Sequence, residues 1–197
     1  MTRKLEILTD LDGIVANLLG PWLAAYNKEW AANLTPGDIP EWYIENVVNP
    51  ACGKDVYKYL TPQMFRDLEP LPGAVKAISD LRDMGHTVMV CTATVCPEIA
   101  SEKMKWIKRH LNIPLEDVFI CYRKSMVMAD ILIDDSPLNA EKVRQYQPNT
   151  KLISIAYPYN KCTESITDCR AEGWADTEKA WKSIVEYIEA YSSSEIP

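Results

Sequence analysis

Apolar residues come in short bursts along this chain, and five of the bursts read as strands. They are "LEILTD" from Leu5, "HTVMVCTAT" from His86, "VFICY" from Val118, "ILIDD" from Ile131 and "KLISIAY" from Lys151. They are rich in β-branched residues and lack strict alternation, as strands buried on both faces do. Between them the apolar period lengthens to that of a helix. "PGAVKAISDLRDMG" has Pro72 and Gly73 at its start and Gly85 at its stop, with Ala74, Ile78 and Leu81 on one face. "PEIASEKMKWIKRHL" follows the second burst. "SPLNAEKVRQYQ" follows the fourth, with Ser136 as N-cap and Pro137 in the first turn. "DTEKAWKSIVEYIEAY" closes the pattern, capped by Asp176 or Thr177, and "SSSEIP" reads as a frayed tail. Strands alternating with helices predict an α/β fold: a doubly wound parallel sheet with helices on both faces.

The stretch 16–68 breaks the rhythm. It holds no strand pattern, many aromatic residues and the prolines Pro36, Pro40, Pro50 and Pro62. It is too long for a crossover loop. We read it as a small helical insertion over one end of the sheet, which leaves 1–15 and 69–197 as the core. Trp22, Tyr26 and Trp30 recur every four residues, which is the spacing of one packed helix face.

Composition narrows the classes. Of 197 residues, 47% are hydrophobic and 25% charged, a globular balance. A net charge of -7 disfavours a nucleic-acid polymer as partner, and two histidines leave no His-rich metal cage. No run of about 18 apolar residues predicts a membrane span, and the N-terminal residues lack a secretory pattern. The six cysteines include no C-x-x-C pair, and Cys91 and Cys121 sit in strand-like runs. The expectation is a reduced, cytoplasmic protein, with a Cys162–Cys169 disulfide as the minor alternative. A homodimer is the competing use of the insertion's aromatic residues.

Candidate chemistry comes from what each strand ends with, because ligands in such sheets bind outside the carboxyl ends of the strands. Strand one ends in Asp10-Leu11-Asp12-Gly13, strand two in Thr92-Ala93-Thr94, and strand three runs into Arg123-Lys124. Strand four ends in Asp134-Asp135 and strand five in "YPYN", up to Asn160. Each feature alone is an ordinary turn or cap. Together they bring four carboxylates, a hydroxyl and an ammonium to one sheet edge. Carboxylates so crowded repel one another, and a hard divalent cation such as Mg²⁺ relieves this while binding a phosphate oxygen. Asp10 and Asp12, two apart, point to one side of a strand, so one can attack while the other handles protons. Gly13 permits a sharp turn and a close approach to the backbone. Arg123 reads as a solvated neighbour of Lys124.

Asp-x-Asp-Gly on strand one, Thr92 on strand two, Lys124 and then Asp134-Asp135 resemble, in order, the four motifs of the haloacid dehalogenase superfamily. The insertion after the first motif resembles that superfamily's C1 cap. More narrowly, "DLDGIVANLL", "DLEPLPGAVKAI", "VCTAT" and "ADILIDDSP" resemble the 5'(3')-deoxyribonucleotidases. The resemblance implies a Mg²⁺-dependent phosphomonoesterase. Asp10 would be the nucleophile that forms an aspartyl-phosphate, and Asp12 the acid and then the base. Asp10, the Asp12 carbonyl and Asp134 would hold Mg²⁺ with Asp135 in support, and Thr92 and Lys124 would bind phosphate. By position in the cap, Trp42, Tyr43 and Phe65, with Tyr59 beside them, fall where base-contacting aromatics are expected. The chain departs from the pattern at Ala93, where a phosphate-contacting hydroxyl is common, and at Leu18, where an aromatic is common. The small-molecule substrate implied is a (deoxy)nucleoside 5'- or 3'-monophosphate. The alternatives are a capped phosphatase for another small phosphomonoester, and a Mg²⁺-binding receiver-like module without turnover.

Overall fold

The computed structural model describes residues 3–194, and its centre is a six-stranded, wholly parallel sheet. The strands are β1 (Glu6–Thr9), β2 (Thr87–Thr92), β3 (Val118–Ile120), β4 (Ile131–Ile133), β5 (Lys151–Ile155) and β6 (Cys169–Ala171), in the order β3-β2-β1-β4-β5-β6. The five predicted strands are present. The sixth, Cys-Arg-Ala, is too short and too polar to show in the apolar pattern. It is held by pairing Ile153, Ser154 and Ile155 with Cys169, Arg170 and Ala171.

The helices are α1 (Leu19–Trp30), α2 (Pro62–Asp67), α3 (Ala74–Asp83), α4 (Pro97–His110), α5 (Pro137–Tyr146) and α6 (Thr177–Ser193). Strand alternation divides their cores. Leu8, Cys91, Leu132 and Leu152 face Ala140 and Val143 of α5. Ile7, Val90, Ile131, Ile133 and Ile153 join residues of α3, α4 and α6 on the other face. Both faces are therefore covered, which is what the near-continuous apolar strands required. Ser136 caps α5 by accepting from the Asn139 N–H, and Asp176 caps α6 by accepting from the Lys179 N–H. α6 runs through Ser193 with Ser192 buried, so the predicted frayed tail begins later than expected. Of that stretch, 195–197 lie outside the described residues.

Between β1 and α3 the described chain forms α1, three short 3-10 turns (Pro36–Asp38, Ile44–Asn46, Gly53–Tyr59) and α2, with no sheet strand. Its entry and exit are clamped side by side. The Asn17 N–H donates to the Glu69 carbonyl (2.9 Å) and the Leu71 N–H to the Val15 carbonyl (2.7 Å). Tyr26 is buried and stacks on Trp30, and the Trp22 indole N–H donates to the Val56 carbonyl, so this helix face is packing. The insertion's buried residues, among them Leu23, Ile39, Val56 and Phe65, belong to the same hydrophobic cluster as the sheet. α2 packs on α4, where the Trp106 indole N–H donates to the Leu68 carbonyl (2.7 Å). All six thiols are unpaired, including Cys162 and Cys169. Among the described residues no helix is long and apolar enough to cross a membrane.

Candidate active site

β1 stops at Thr9, but Asp10 continues its ladder by donating its N–H to the Ile133 carbonyl (2.8 Å). Past the buried Leu11, Asp12 comes to the same edge as Asp10, and the chain then turns at Gly13, which has a φ of +75°. Each carboxylate has its own buried lysine. Lys124, from the turn after β3, lies 2.7 Å from Asp10 Oδ1 and 2.7 Å from Asp134 Oδ2. Lys103, from α4, donates to Asp12 Oδ2, to Thr92 Oγ1 (3.0 Å) and to the Ala93 carbonyl (2.5 Å). Lys103 and Lys124 are each 2% exposed, so neither is a solvated surface cation. Sequence reasoning missed Lys103.

Asp134 is fully engaged. Besides Lys124 it accepts from the Ser136 N–H (2.8 Å) and the Asn139 side-chain amide. Asp135 accepts from the Tyr159 hydroxyl at Oδ2 (2.5 Å), while its Oδ1 is buried without a partner among the described residues. Asp12 Oδ1 is likewise buried and unpartnered. Asn160 ties this edge together by donating to the carbonyls of Asp135 and Ile155.

The Asp10 carboxyl is raised to about 7: burial pushes it up most, Lys124 opposes this, and the charges of Asp134 and Asp12 add to the rise. Burial also raises Asp135 well above the usual carboxylate range, reinforced by the charges of Asp10 and Asp134. Burial opposes the charge on Lys124, but Asp10 and Asp134 outweigh it and raise its pKa. This is the crowding expected from the strand-end aspartates. One oxygen from each of Asp10, Asp134 and Asp135 lies within 4.8 Å of the others. With an orphaned oxygen on Asp135 and three carboxylates at one point, these residues fit a divalent cation. The free oxygen belongs to Asp135, whereas Asp134, the expected ligand, spends its oxygens on protein donors.

The other predicted residues divide. Thr92 is fully buried within the Lys103 network, and Ala93 contributes its carbonyl to Lys103 rather than a side chain. Trp42 reaches the site edge-on, 5.6 Å from the Tyr159 ring. Phe65 is buried beneath the Lys103 ammonium (4.8 Å), so its ring supports the lysine and is not an open face. Tyr43 is 49% exposed at the start of the 44–46 turn, and Tyr59 lies under Lys58. Leu18 lines a cavity of about 310 Å³ with Gly13, Leu71, Tyr157 and Trp174, beside the aspartates and not among them. Arg123 is exposed, as expected.

Residues 3–185 match the family described as "5' nucleotidase, deoxy (Pyrimidine), cytosolic type C protein". The chain is 32% identical over 181 residues to a 5'(3')-deoxyribonucleotidase of Clostridium acetobutylicum, covering 91% of this chain and 96% of that one. It is 25% identical over 197 residues to the human cytosolic-type 5'(3')-deoxyribonucleotidase, covering 94% and 96%. A haloacid dehalogenase-like hydrolase from Xanthomonas campestris shares the fold, with a TM-score of 0.61 at 10% identity over 99% of this chain and 100% of that one.

Proposed function

This chain belongs to the 5' nucleotidase, deoxy (Pyrimidine), cytosolic type C family, and on that premise we propose how it hydrolyses nucleoside monophosphates. It is a phosphomonoesterase of haloacid dehalogenase fold. The observation that carries the mechanism is the pairing of two carboxylates, Asp10 buried and Asp12 partly exposed, with two separate buried lysines.

An Asp10 carboxylate oxygen attacks phosphorus, and the bond to the nucleoside oxygen breaks. Asp12 gives its proton to that leaving oxygen. Asp12 then takes a proton from water, the water oxygen attacks the aspartyl-phosphate, and phosphate leaves Asp10 free. Splitting the reaction through a covalent intermediate replaces one difficult step by two. The transition state is loose, so positioning and charge neutralisation do most of the work. Lys124 holds Asp10 by one oxygen and leaves the other to attack. Lys103 fixes Asp12 and Thr92 together, aligning the proton donor with the phosphate-binding hydroxyl. Mg²⁺, held by Asp10 and Asp135 with Asp134 behind them, would neutralise phosphate charge and favour ionised Asp10.

The insertion, residues 16–68, acts as the cap over this edge. Trp42 offers the aromatic surface for a nucleobase, a contact worth about 1–3 kcal/mol per stacked base. The substrate is a small (deoxy)nucleoside 5'- or 3'-monophosphate, met in the cytoplasm.

The test is phosphate release from 5' and 3' (deoxy)nucleoside monophosphates and an aryl phosphate, with Mg²⁺ or EDTA. Turnover of a deoxynucleotide that EDTA abolishes and Asp10→Asn lacks supports the reading. Turnover of the aryl phosphate alone keeps the chemistry and removes the nucleotide. Equal rates in parent and Asp10→Asn remove the mechanism.

A further inference from the structure

Tyr159 lies in the 3-10 segment Pro158–Thr163 after β5, and its hydroxyl is spent on one atom, Asp135 Oδ2. That oxygen is crowded. A Cβ built on Gly13 would stand 2.5 Å from it and 3.6 Å from the Tyr159 hydroxyl, so the glycine backbone closes a second side of it, next to the tyrosine. The ring that carries the hydroxyl is held as firmly. Tyr159 stacks on Tyr157 with centroids 4.9 Å apart and planes 11° apart, and Trp42 closes its edge. Tyr157 is anchored by donating its hydroxyl to the Gly13 carbonyl (2.9 Å). With Oδ2 engaged, the oxygen that Asp135 has to give is the unpartnered Oδ1.

We propose that Tyr159 is a positioning residue which, by holding Oδ2, orients Asp135 to present Oδ1 to the divalent cation. This rests on the cation reading above and adds to it the side chain that sets the geometry of one ligand. A carboxylate on a short side chain rotates freely unless one oxygen is fixed, and hydrogen-bond partners behind metal ligands typically control affinity by 10–100-fold. Neither the apolar pattern nor the motif order marks Tyr159, because its partner lies on a different strand.

Calorimetric titration of Mg²⁺ into the full chain, without nucleotide, tests this. Tyr159→Phe keeps the stacked ring and removes only the hydroxyl. It should weaken Mg²⁺ binding about 10–100-fold, with only the modest fall in metal-free melting temperature that loss of one buried hydrogen bond brings. The Mg²⁺ concentration for half-maximal turnover should rise by the same ratio, with nucleotide KM unchanged. Tyr146→Phe removes an exposed hydroxyl on α5, away from the site, and should bind Mg²⁺ as the parent does. Unchanged affinity in Tyr159→Phe, or equal weakening in both variants, overturns the proposal and leaves the cation site standing. No Mg²⁺ binding by the parent removes the site and the proposal together.

Discussion

Lys103 is the residue whose loss should cost the most for its place in the sequence. It joins Asp12, Thr92 and the Ala93 carbonyl, and nothing else in the described structure does so. Lys103→Met keeps the length of the stem over Phe65 and removes the donor. We expect kcat to fall about 100-fold or more, the scale of a misplaced acid–base group, and the melting temperature to fall as well, because Asp12 and the Ala93 carbonyl lose their buried partner; steady-state rates and a thermal melt decide it. The residue was readable in principle. Ile99, Lys103, Trp106 and Ile107 share one face of α4, so the lysine sits on the buried stripe. It was hidden among Lys105, Lys108 and Arg109, which are surface cations of the same helix. Asp10, Thr92, Lys124 and the Asp134-Asp135 pair were legible because each follows an apolar run. The free oxygen on Asp135 was not, since it depends on Tyr159. At the opposite end of β1, His86 is buried and accepts the Leu5 N–H at Nδ1 (3.2 Å). Burial holds its pKa below the ordinary value. The folded state therefore binds fewer protons than the unfolded one. Its contribution is present above the unfolded value of about 6.5 and is lost as pH falls through the folded pKa. The raised carboxyls of Asp10 and Asp135 act in the opposite direction over the same range but are common to both proteins, so on acidification from about pH 7 to about pH 5 the parent's melting temperature should fall relative to that of His86→Asn. An equal drop in both would assign the loss elsewhere.

Among the elements, α4 carries the most. One face delivers Lys103 to the site, and the same helix receives α2 as the insertion returns to the core. The seam is made by the Trp106 indole on the Leu68 carbonyl, with Arg66 paired to Glu102 at its edge. Arg66 is half exposed, so that ion pair adds little. Trp106→Phe leaves the Leu68 carbonyl without its partner. It should cost about 1–3 kcal/mol, read as a lower urea midpoint. A shift below about 0.5 kcal/mol, the usual range of surface changes, would show that the seam rests on apolar contact alone. Strands of apolar sequence, down to the three-residue β3 and β4, and the periodic helices of the core were visible in sequence. β6, α2 and the insertion's 3-10 turns were not, because their hydrogen bonds and not their composition define them.

For the whole molecule, a single hydrophobic cluster spans the insertion and one face of the sheet. Gly37 lies so close to the Trp174 ring that a Cβ there would stand 2.8 Å from it, which seats the insertion on the loop before α6 as well. The sequence suggested an inserted lobe but not that its packing is continuous with the sheet, because contacts between distant segments leave no periodicity. One cluster implies one cooperative unit. Trp22, Trp30 and Trp42 report from the insertion, and Trp106, Trp174 and Trp181 from the core. Urea curves followed by tryptophan fluorescence and by far-ultraviolet circular dichroism should superimpose. A separate early fluorescence transition would mean that the insertion unfolds alone.

The position of β1 has a consequence for the life of the chain. Ile7 pairs with Val88 on one side and with Ile131 on the other. During synthesis the Asp10 segment leaves the ribosome first and has no strand to join until much later. Lys103, Lys124 and Asp135 follow in that order. Pairings so distant in sequence form slowly. On the mechanism proposed above, Asp10 thus travels through translation as an ordinary hydrated aspartate and becomes a nucleophile only when the fold closes around it, so the nascent protein would carry no working phosphatase.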